Sequence, residues 1–288
     1  MKANLYALGA IALWASLATL GMSLSHVPPF LLTGVALLVG SFLSVPLARF
    51  DLDHWRVPGS TLLLGVYGLF GYHFLLFMAL QHAPPVEANL VNYLWPLLMV
   101  VLAPVLLRAM RLRAAHVLAA LLGFAGAAVT ILGAQGTASG AAAAANTAWG
   151  YAAALAAALV WSSYSLLCQR VQPFPTAAIG LFGLVSGLLS LLCHWALEPS
   201  IALDSHDWLL LVALGLGPLG AAFFLWDKAL KLGDARQIGI LSYLTPLAST
   251  SLLLLFSGRA FTWNIGLAAA LILGAAWLGT RASNGPGR

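Results

Sequence analysis

The sequence predicts an all-α integral membrane protein, with ten transmembrane helices arranged as two inverted five-helix repeats around a central cavity. Three observations predict this fold: the composition, the positions of the basic residues, and a short phrase that occurs twice. Of the 288 residues, 61% are hydrophobic and 7% are charged, whereas soluble domains carry about 25% charged residues. So few charges cannot cover the surface of a soluble protein, and a lipid bilayer must therefore cover much of it.

The apolar segments have the length that a membrane requires, because a helix needs about 20 apolar residues to cross the hydrocarbon. The first segment is longer than the core of a signal peptide, which is about 7–15 residues, and is therefore interpreted as a spanning helix. Proline, glycine, histidine or charged residues separate most segments. The predicted spans are 3–24, 29–48, 59–81, 85–107, 114–134, 147–169, 174–195, 207–228, 235–257 and 262–280.

Lysine and arginine are distributed unequally between the two sides that these spans would create. With the N-terminus inside, the outer gaps contain only Arg259, and the other basic residues lie inside: Lys2, Arg49, Arg56, Arg108, Arg111, Arg113, Arg170, Lys228, Lys231, Arg236, Arg281 and Arg288. Basic residues accumulate on the cytoplasmic side of membrane proteins. We therefore expect a multi-pass protein of a bacterial inner membrane with both termini cytoplasmic. Topology also explains the net charge of +5, so no nucleic-acid partner is expected.

A repeated phrase divides the chain into two halves. The stretch "NYLWPL" at 92–97 returns as "SYLTPL" at 242–247, a shift of 150 residues, and "LWAS" at 13–16 resembles "VWSS" at 160–163. The halves are predicted at 1–134 and 147–288, with a small-residue linker at 135–146. Five spans is an odd number, so the second half enters the membrane from the opposite side. Inverted repeats of this kind are a feature of secondary transporters.

The ten spans, the two halves, and the phrases "LWAS" and "YLWPLL" resemble the drug/metabolite transporter superfamily in its EamA-type branch. Within that branch the chain is similar to the YddG-type aromatic amino acid exporters. The resemblance covers nearly the whole chain and implies a ten-helix basket around a central cavity, with no ATP site. Relatives in the superfamily move amino acids, nucleotide sugars, cations and drugs, so an exporter of another small solute is an alternative.

Ionisable side chains in the middle of a membrane are costly and usually functional. All eight carboxylates fall in gaps or near span ends, which favours a facilitator or exchanger over a proton antiporter. Asp227, beside Lys228, is expected to pair locally. The one deep histidine, His73, either bonds a neighbouring helix or lines the cavity, where it would share a layer with Asn92 and Trp95.

The candidate cavity residues are mostly aromatic, with a few neutral hydrogen-bonding groups and no fixed charge. Aromatic side chains in a membrane helix also serve simply as packing, and a mid-span tryptophan indicates either a wet cavity or an interhelical bond. A cavity of this kind suits phenylalanine, tyrosine or tryptophan, with other neutral amino acids tolerated, and requires no metal or cofactor. The candidate substrate-binding residues are Trp14, Tyr72, His73, Asn89, Asn92, Tyr93, Trp95, Trp161, Tyr164 and Tyr243.

Two prolines in the repeated phrase are candidate hinges. Pro96 and Pro246 lack a backbone donor, so the carbonyls of Asn92 and Ser242 are expected to lose their usual helical partners. Such groups are tolerated in a membrane only beside protein or water. A static kink that merely shapes the bundle is the alternative. We expect lipid contacts around the bundle and function as a monomer.

Two other classes of protein are considered. An intramembrane enzyme is disfavoured because the sequence contains no HExxH, no GxSxG and no pair of mid-membrane aspartates. The cysteines, Cys168 and Cys193, lack the spacing of a zinc site or a disulfide framework. A channel would carry a steady flux without saturation, whereas a carrier would show saturable counterflow.

Overall fold

The structure, a computed structural model, describes residues 2–107, 112–133, 147–257 and 263–284. These residues form helices and contain no strand. Nine helices in the described part are long and apolar enough to cross a membrane, which agrees with a multi-pass membrane protein. The predicted linker at 135–146 lies outside the described residues, as do Arg108, Arg111, Arg259 and Arg288.

The chain up to residue 133 contains five of these candidate spans, several of them broken into consecutive helices. The helices are α1 (Lys2–Ala15), α2 (Leu17–Ser23), α3 (Pro29–Ser41), α4 (Ser44–Leu47), α5 (Gly59–Val66), α6 (Tyr72–His82), α7 (Pro85–Asn92), α8 (Trp95–Leu106) and α9 (Ala114–Gly133).

The chain from residue 147 contains four further candidate spans. Its helices are α10 (Thr147–Leu167), α11 (Ala178–Leu197), α12 (Ser205–Leu216), α13 (Ala222–Leu232), α14 (Ala235–Leu241), α15 (Leu244–Ser257) and α16 (Trp263–Asn284). The span predicted at 235–257 consists of α14 and α15, separated at residues 242 and 243, and neither helix alone has the length of a span.

Two short π-helical segments interrupt spanning helices. Tyr67–Gly71 joins α5 to α6, and Gly217–Ala221 joins α12 to α13. Hydrophobic patterning does not predict these segments, although each contains two glycines that weaken regular helix. The π-helix is rare and is often found at functional sites. The two segments start 150 residues apart, which is the shift of the repeated phrase.

Helices pack across the two halves of the chain in five principal pairs. The helix α1 contacts α13, and α6 contacts α10. The other pairs are α3 with α11, α8 with α10, and α9 with α16. Every pair joins a helix from before residue 134 to one from after residue 146, so the two halves interlock.

Small residues allow some of these helices to approach closely, as is common in membrane bundles. A Cβ atom on Gly40 would lie 2.7 Å from the Cα of Gly220 and 2.8 Å from the carbonyl oxygen of Gly215. The helix α3 is thus in backbone contact with the π segment that follows α12.

Two carboxylates each accept hydrogen bonds from backbone N–H groups at the start of a helix. Glu198 accepts hydrogen bonds from the backbone N–H groups of Phe30 at 2.9 Å and Leu31 at 3.2 Å, so it caps α3 from the end of α11. Near the start of α14, burial would raise the pKa of the Asp234 carboxyl, but hydrogen bonds and the charge of Arg236 hold that pKa below its usual value. Such caps typically contribute about 0.5–2 kcal/mol each.

Candidate functional site

A cavity of about 270 Å³ lies between the helices, close to the lower end of the range of roughly 300–1,000 Å³ that is usual for small-molecule sites. It is bordered by residues from both halves of the chain. The lining residues are Trp14, Leu17, Tyr72, His73, Leu76, Asn89, Asn92, Tyr93, Trp95, Trp161, Leu219, Phe223, Thr245 and Ser249.

Most of the residues that the sequence singled out meet at this cavity. Those that line it are Trp14, Tyr72, His73, Asn89, Asn92, Tyr93, Trp95 and Trp161. Tyr164 and Tyr243 do not line it in this conformation. Tyr164 packs on Gly68 with its ring centroid 5.4 Å from that of Trp161, and Tyr243 is fully buried against Gly123.

Sequence reasoning missed six lining residues: Leu17, Leu76, Leu219, Phe223, Thr245 and Ser249. The leucines could not be distinguished from lipid-facing leucines by residue type. Phe223 and Thr245 could have been found, because the 150-residue shift relates them to His73 and Trp95. The repeat therefore predicts these two lining residues, which residue type alone does not.

Trp161 lies at the centre of an aromatic cluster that forms one wall and the base of the cavity. Its ring centroid lies 5.3 Å from that of Tyr72, 5.7 Å from that of Phe223 and 5.9 Å from that of Trp14. Trp226 at 6.2 Å and Trp95 at 6.4 Å complete the cluster. Aromatic pairs at such distances contribute about 0.5–1.5 kcal/mol each beyond area burial, so the cluster is a firm surface for a flat solute.

Two indole N–H groups in the cluster make interhelical bonds. Trp14 Nε1 donates to the carbonyl oxygen of Pro218 at 3.1 Å, in the second π segment. Trp226 Nε1 donates to Ser165 Oγ, also at 3.1 Å. For Trp14, therefore, both interpretations of a mid-span tryptophan hold, since its ring lines the cavity and its N–H bonds another helix.

His73 is buried and bonds within its own span. Its Nδ1 lies 2.6 Å from the carbonyl oxygen of Leu69. The structure therefore shows His73 Nδ1 bonded within its own span rather than to a neighbouring helix. Because a carbonyl only accepts, Nδ1 carries the proton, and a neutral ring then offers Nε2 as an acceptor.

The cavity also has polar groups without protein partners. Asn92 Nδ2 donates to the hydroxyl of Tyr72 at 3.2 Å, while Asn92 Oδ1 has no hydrogen-bond partner among the described residues. Thr245 Oγ1 likewise has none within the described part of the chain. A buried unpaired polar group costs about 1–3 kcal/mol, so a solute or water that bonds these atoms would recover that energy.

Among the residues that the structure describes, no Asp, Glu, Lys or Arg lines the cavity. Asp227, in the second half of α13, accepts hydrogen bonds from Lys231 Nζ at 2.7 Å and Thr176 Oγ1 at 2.6 Å. Local pairing of Asp227 is thus confirmed, but the partner is Lys231, one helical turn away, rather than Lys228. The ammonium of Lys231 also contacts the ring of Phe174, 3.9 Å from its centroid.

The repeated phrase forms a break between helices in each half. Residues 93 and 94 separate α7 from α8, and residues 242 and 243 separate α14 from α15. Pro96 and Pro246 lie in the first turn of the following helix, where a missing donor costs little. The Ser242 carbonyl has no partner four residues on, where Pro246 lacks an N–H, but it accepts a hydrogen bond from the backbone N–H of Thr245 at 3.0 Å and is therefore not left unpaired.

Apolar helices of membrane-spanning length surround an uncharged aromatic cavity, and together these features define a multi-pass membrane protein of the solute-carrier class. Residues 1–132 and 148–281 match the model of the EamA-like transporter family. The chain belongs to this family, and it is therefore a transporter and not an enzyme.

Two similar proteins extend this comparison. The chain is 44% identical over 282 residues to the aromatic amino acid exporter YddG of Ancylobacter novellus, covering 97% of each sequence. A solved structure described as "Crystal structure of protein" matches with a TM-score of 0.90 and 42% sequence identity, covering 99% of each chain. The fold of the described residues therefore has a close structural counterpart.

Proposed function

We propose that the protein exports aromatic and other neutral amino acids across a bacterial inner membrane by facilitated, alternating-access transport through the central cavity. The observation that carries this proposal is the lining itself, which is aromatic and neutral and has unpaired polar atoms. The name of the similar protein from Ancylobacter novellus, an aromatic amino acid exporter, supports the same substrate class.

The cavity chemistry favours a zwitterion with a flat side chain. Indole and phenol rings stack on an aromatic ring. Asn92 Oδ1 and His73 Nε2 are acceptors for an ammonium, and the hydroxyl of Thr245 is a donor for a carboxylate. A bare cation would require carboxylates, and a nucleotide sugar would require Lys or Arg, and neither occurs in the lining.

Counterflow in proteoliposomes tests this proposal. Vesicles preloaded with unlabelled phenylalanine are expected to accumulate labelled phenylalanine transiently and saturably, whereas preloaded glutamate should not drive uptake. Empty liposomes are the control. An unsaturable flux would indicate a channel, and failure of phenylalanine, tyrosine and tryptophan alike would overturn the substrate assignment.

Ten spans in two inverted halves, 1–134 and 147–288, are part of the proposal. The π segments 150 residues apart support the repeat, and so does the matching break in the α7–α8 and α14–α15 pairs. The helix contacts support it too. Exchanging the halves converts the α1–α13 pair into the α10–α6 pair and the α8–α10 pair into the α15–α1 pair, and it converts the α3–α11 and α9–α16 pairs into themselves.

The proposed orientation has both termini in the cytoplasm. The C-terminal end of α6 and the start of α7 then lie on the outer side. An alkaline phosphatase fused after Arg288 is therefore expected to be inactive, because that enzyme requires the periplasm. The matched fusion after Pro84, in the connection before α7, should be active. An active fusion at the C-terminus would contradict this topology.

Transport is expected to proceed without an imposed proton gradient, because the lining contains no carboxylate and Asp227 is already paired with Lys231. Exchange of labelled phenylalanine should be equally fast in proteoliposomes with equal pH on both sides and in those with an imposed pH difference. An ionophore that dissipates the gradient is the control. Dependence of exchange on the gradient would assign a coupling role to Asp227 or His73.

Pro96 and Pro246 are the proposed hinges, because each follows a break in the membrane-spanning helices. Substrate and surrounding lipid are the only partners that the proposal requires. Each chain has its own cavity, so a monomer is sufficient for function.

A further inference from the structure

The internal repeat relates the cavity residues in pairs. A shift of 147 relates Trp14 to Trp161, and a shift of 150 relates His73 to Phe223 and Trp95 to Thr245. Both members of each of these three pairs line the cavity. We call these six residues the central layer, and each half of the chain contributes three of them.

The other eight lining residues behave differently, because their counterparts are all buried. Leu76 lines the cavity, whereas its counterpart Trp226 is 1% exposed. Ser249 lines it, whereas Met99 is 0% exposed. The pairs Leu17 with Tyr164 and Tyr93 with Tyr243 follow the same rule, with the first residue at the cavity and the second buried.

The lining residues of these unequal pairs indicate on which side of the central layer the cavity lies. Leu76 follows His73 toward the end of α6, and Ser249 follows Thr245 by one turn along α15. In the proposed topology both lie on the outer side of the central layer, and their buried counterparts lie on the cytoplasmic side. The cavity is therefore open outward and closed inward.

Trp226 is the largest of the buried counterparts, and its ring packs against three tryptophans that line the cavity. Its ring centroid lies 5.2 Å from that of Trp14 and 5.6 Å from that of Trp95. With Trp161, these side chains bring together four indoles from four different spans. Phe223, one turn earlier on α13, still lines the cavity, so the lining ends between Phe223 and Trp226.

Trp226 is held in this position by contacts on both sides. Its N–H donates to Ser165 on α10, and the next residue, Asp227, bonds Thr176 and Lys231. Lys231 also donates to the carbonyl oxygen of Phe174 at 2.9 Å. These contacts connect α13 to α10 and to the segment before α11, so movement of α13 would carry Trp226 with it and would break these bonds.

We propose that Trp226 is the cytoplasmic gate of the cavity, and that Tyr164, Met99 and Tyr243 line the cavity with it once the protein opens inward. This inference rests on the proposed alternating-access function. It also gives a role to Tyr164 and Tyr243, which are buried in the outward-open conformation.

Cysteine accessibility tests the gate without any substrate. In a background with Cys168→Ser and Cys193→Ser that retains exchange, Ser249→Cys should react with a membrane-impermeant maleimide from the outer side, and Met99→Cys should be protected from both sides. Adding Trp226→Ala should accelerate labelling of Met99→Cys from the cytoplasmic side by roughly tenfold or more. Leu76→Ala, at the equivalent position of the other half, should leave Met99→Cys protected.

Trp226→Phe separates a gate from general damage, because it retains a large ring and loses only the bond to Ser165. It should keep Met99→Cys protected, as should Ser165→Ala. Rapid labelling of Met99→Cys with Trp226 intact, no acceleration by Trp226→Ala in a monodisperse protein, or equal acceleration by Leu76→Ala would each overturn the proposal. Because no substrate is present, these outcomes do not depend on the amino acid assignment. That assignment fails separately if phenylalanine shows no counterflow.

Discussion

Trp161→Ala is expected to reduce phenylalanine exchange by about tenfold or more, because the cavity loses the ring at the centre of its aromatic cluster. Loss of one or two aromatic contacts of about 0.5–1.5 kcal/mol each corresponds to roughly a tenfold weaker interaction. Initial rates of labelled phenylalanine exchange in proteoliposomes, at several concentrations, measure the effect.

The alanine also leaves a void in a buried position, so its effect on stability must be measured separately. Trp161→Phe fills most of that void and should restore the fold, with exchange between those of Trp161→Ala and the wild type. Trp195→Ala is the matched control. Trp195 is 85% exposed and lies near the end of α11, a helix with no described residue in the cavity lining. Unaltered exchange in a well-folded Trp161→Ala protein would remove Trp161 from the site.

Gly40→Ala is expected to destabilise the protein strongly, because the added methyl group would meet backbone atoms of Gly220 and Gly215 that cannot rotate away. Overpacking of a tight core typically costs about 1–3 kcal/mol, and this contact also fixes the π segment Gly217–Ala221 against α3. A lower melting temperature in detergent and a smaller monodisperse peak in size-exclusion chromatography are the expected results.

Gly274→Ala makes the same chemical change at a position with no heavy atom of the described residues within 4 Å of the added methyl group. Because alanine favours a helix over glycine by about 1 kcal/mol, this variant should be as stable as the wild type or slightly more so. Equal melting temperatures for the two variants would show that the α3 contact is not tight.

The spans could be predicted from the sequence because the bilayer imposes a length and an apolar composition. The span predicted at 85–107 is found at Pro85–Leu106, and the one at 29–48 is found at Pro29–Leu47. Proline at the first helical position marks both starts. The span at 85–107 is divided into α7 and α8 by a turn at residues 93 and 94, and the one predicted at 235–257 is likewise divided into α14 and α15 by a turn at residues 242 and 243.

The site was predicted less completely, for a physical reason. Tyr164 and Tyr243 have the residue type and depth of cavity residues, but both are buried and do not line the cavity in this structure. Residue type and depth in the membrane are the same in every conformation of a carrier. They therefore do not indicate which residues line the cavity in one particular conformation. Likewise, the Ser242 carbonyl gained a partner by a local turn that residue type alone does not reveal.

The unequal pairs around the central layer have a consequence for the kinetics of transport in the two directions. Leu17 and Leu76 line the cavity, whereas their counterparts, Tyr164 and Trp226, are aromatic and would line the inward-open cavity of the proposed transport cycle. An aromatic solute would then saturate the carrier at a lower concentration from the cytoplasm than from outside. A passive carrier cannot change the equilibrium ratio across the membrane, so unequal half-saturation must be balanced by unequal maximal velocities. Export would then saturate at a low solute concentration with a low maximal velocity, whereas import would saturate at a higher concentration with a higher maximal velocity.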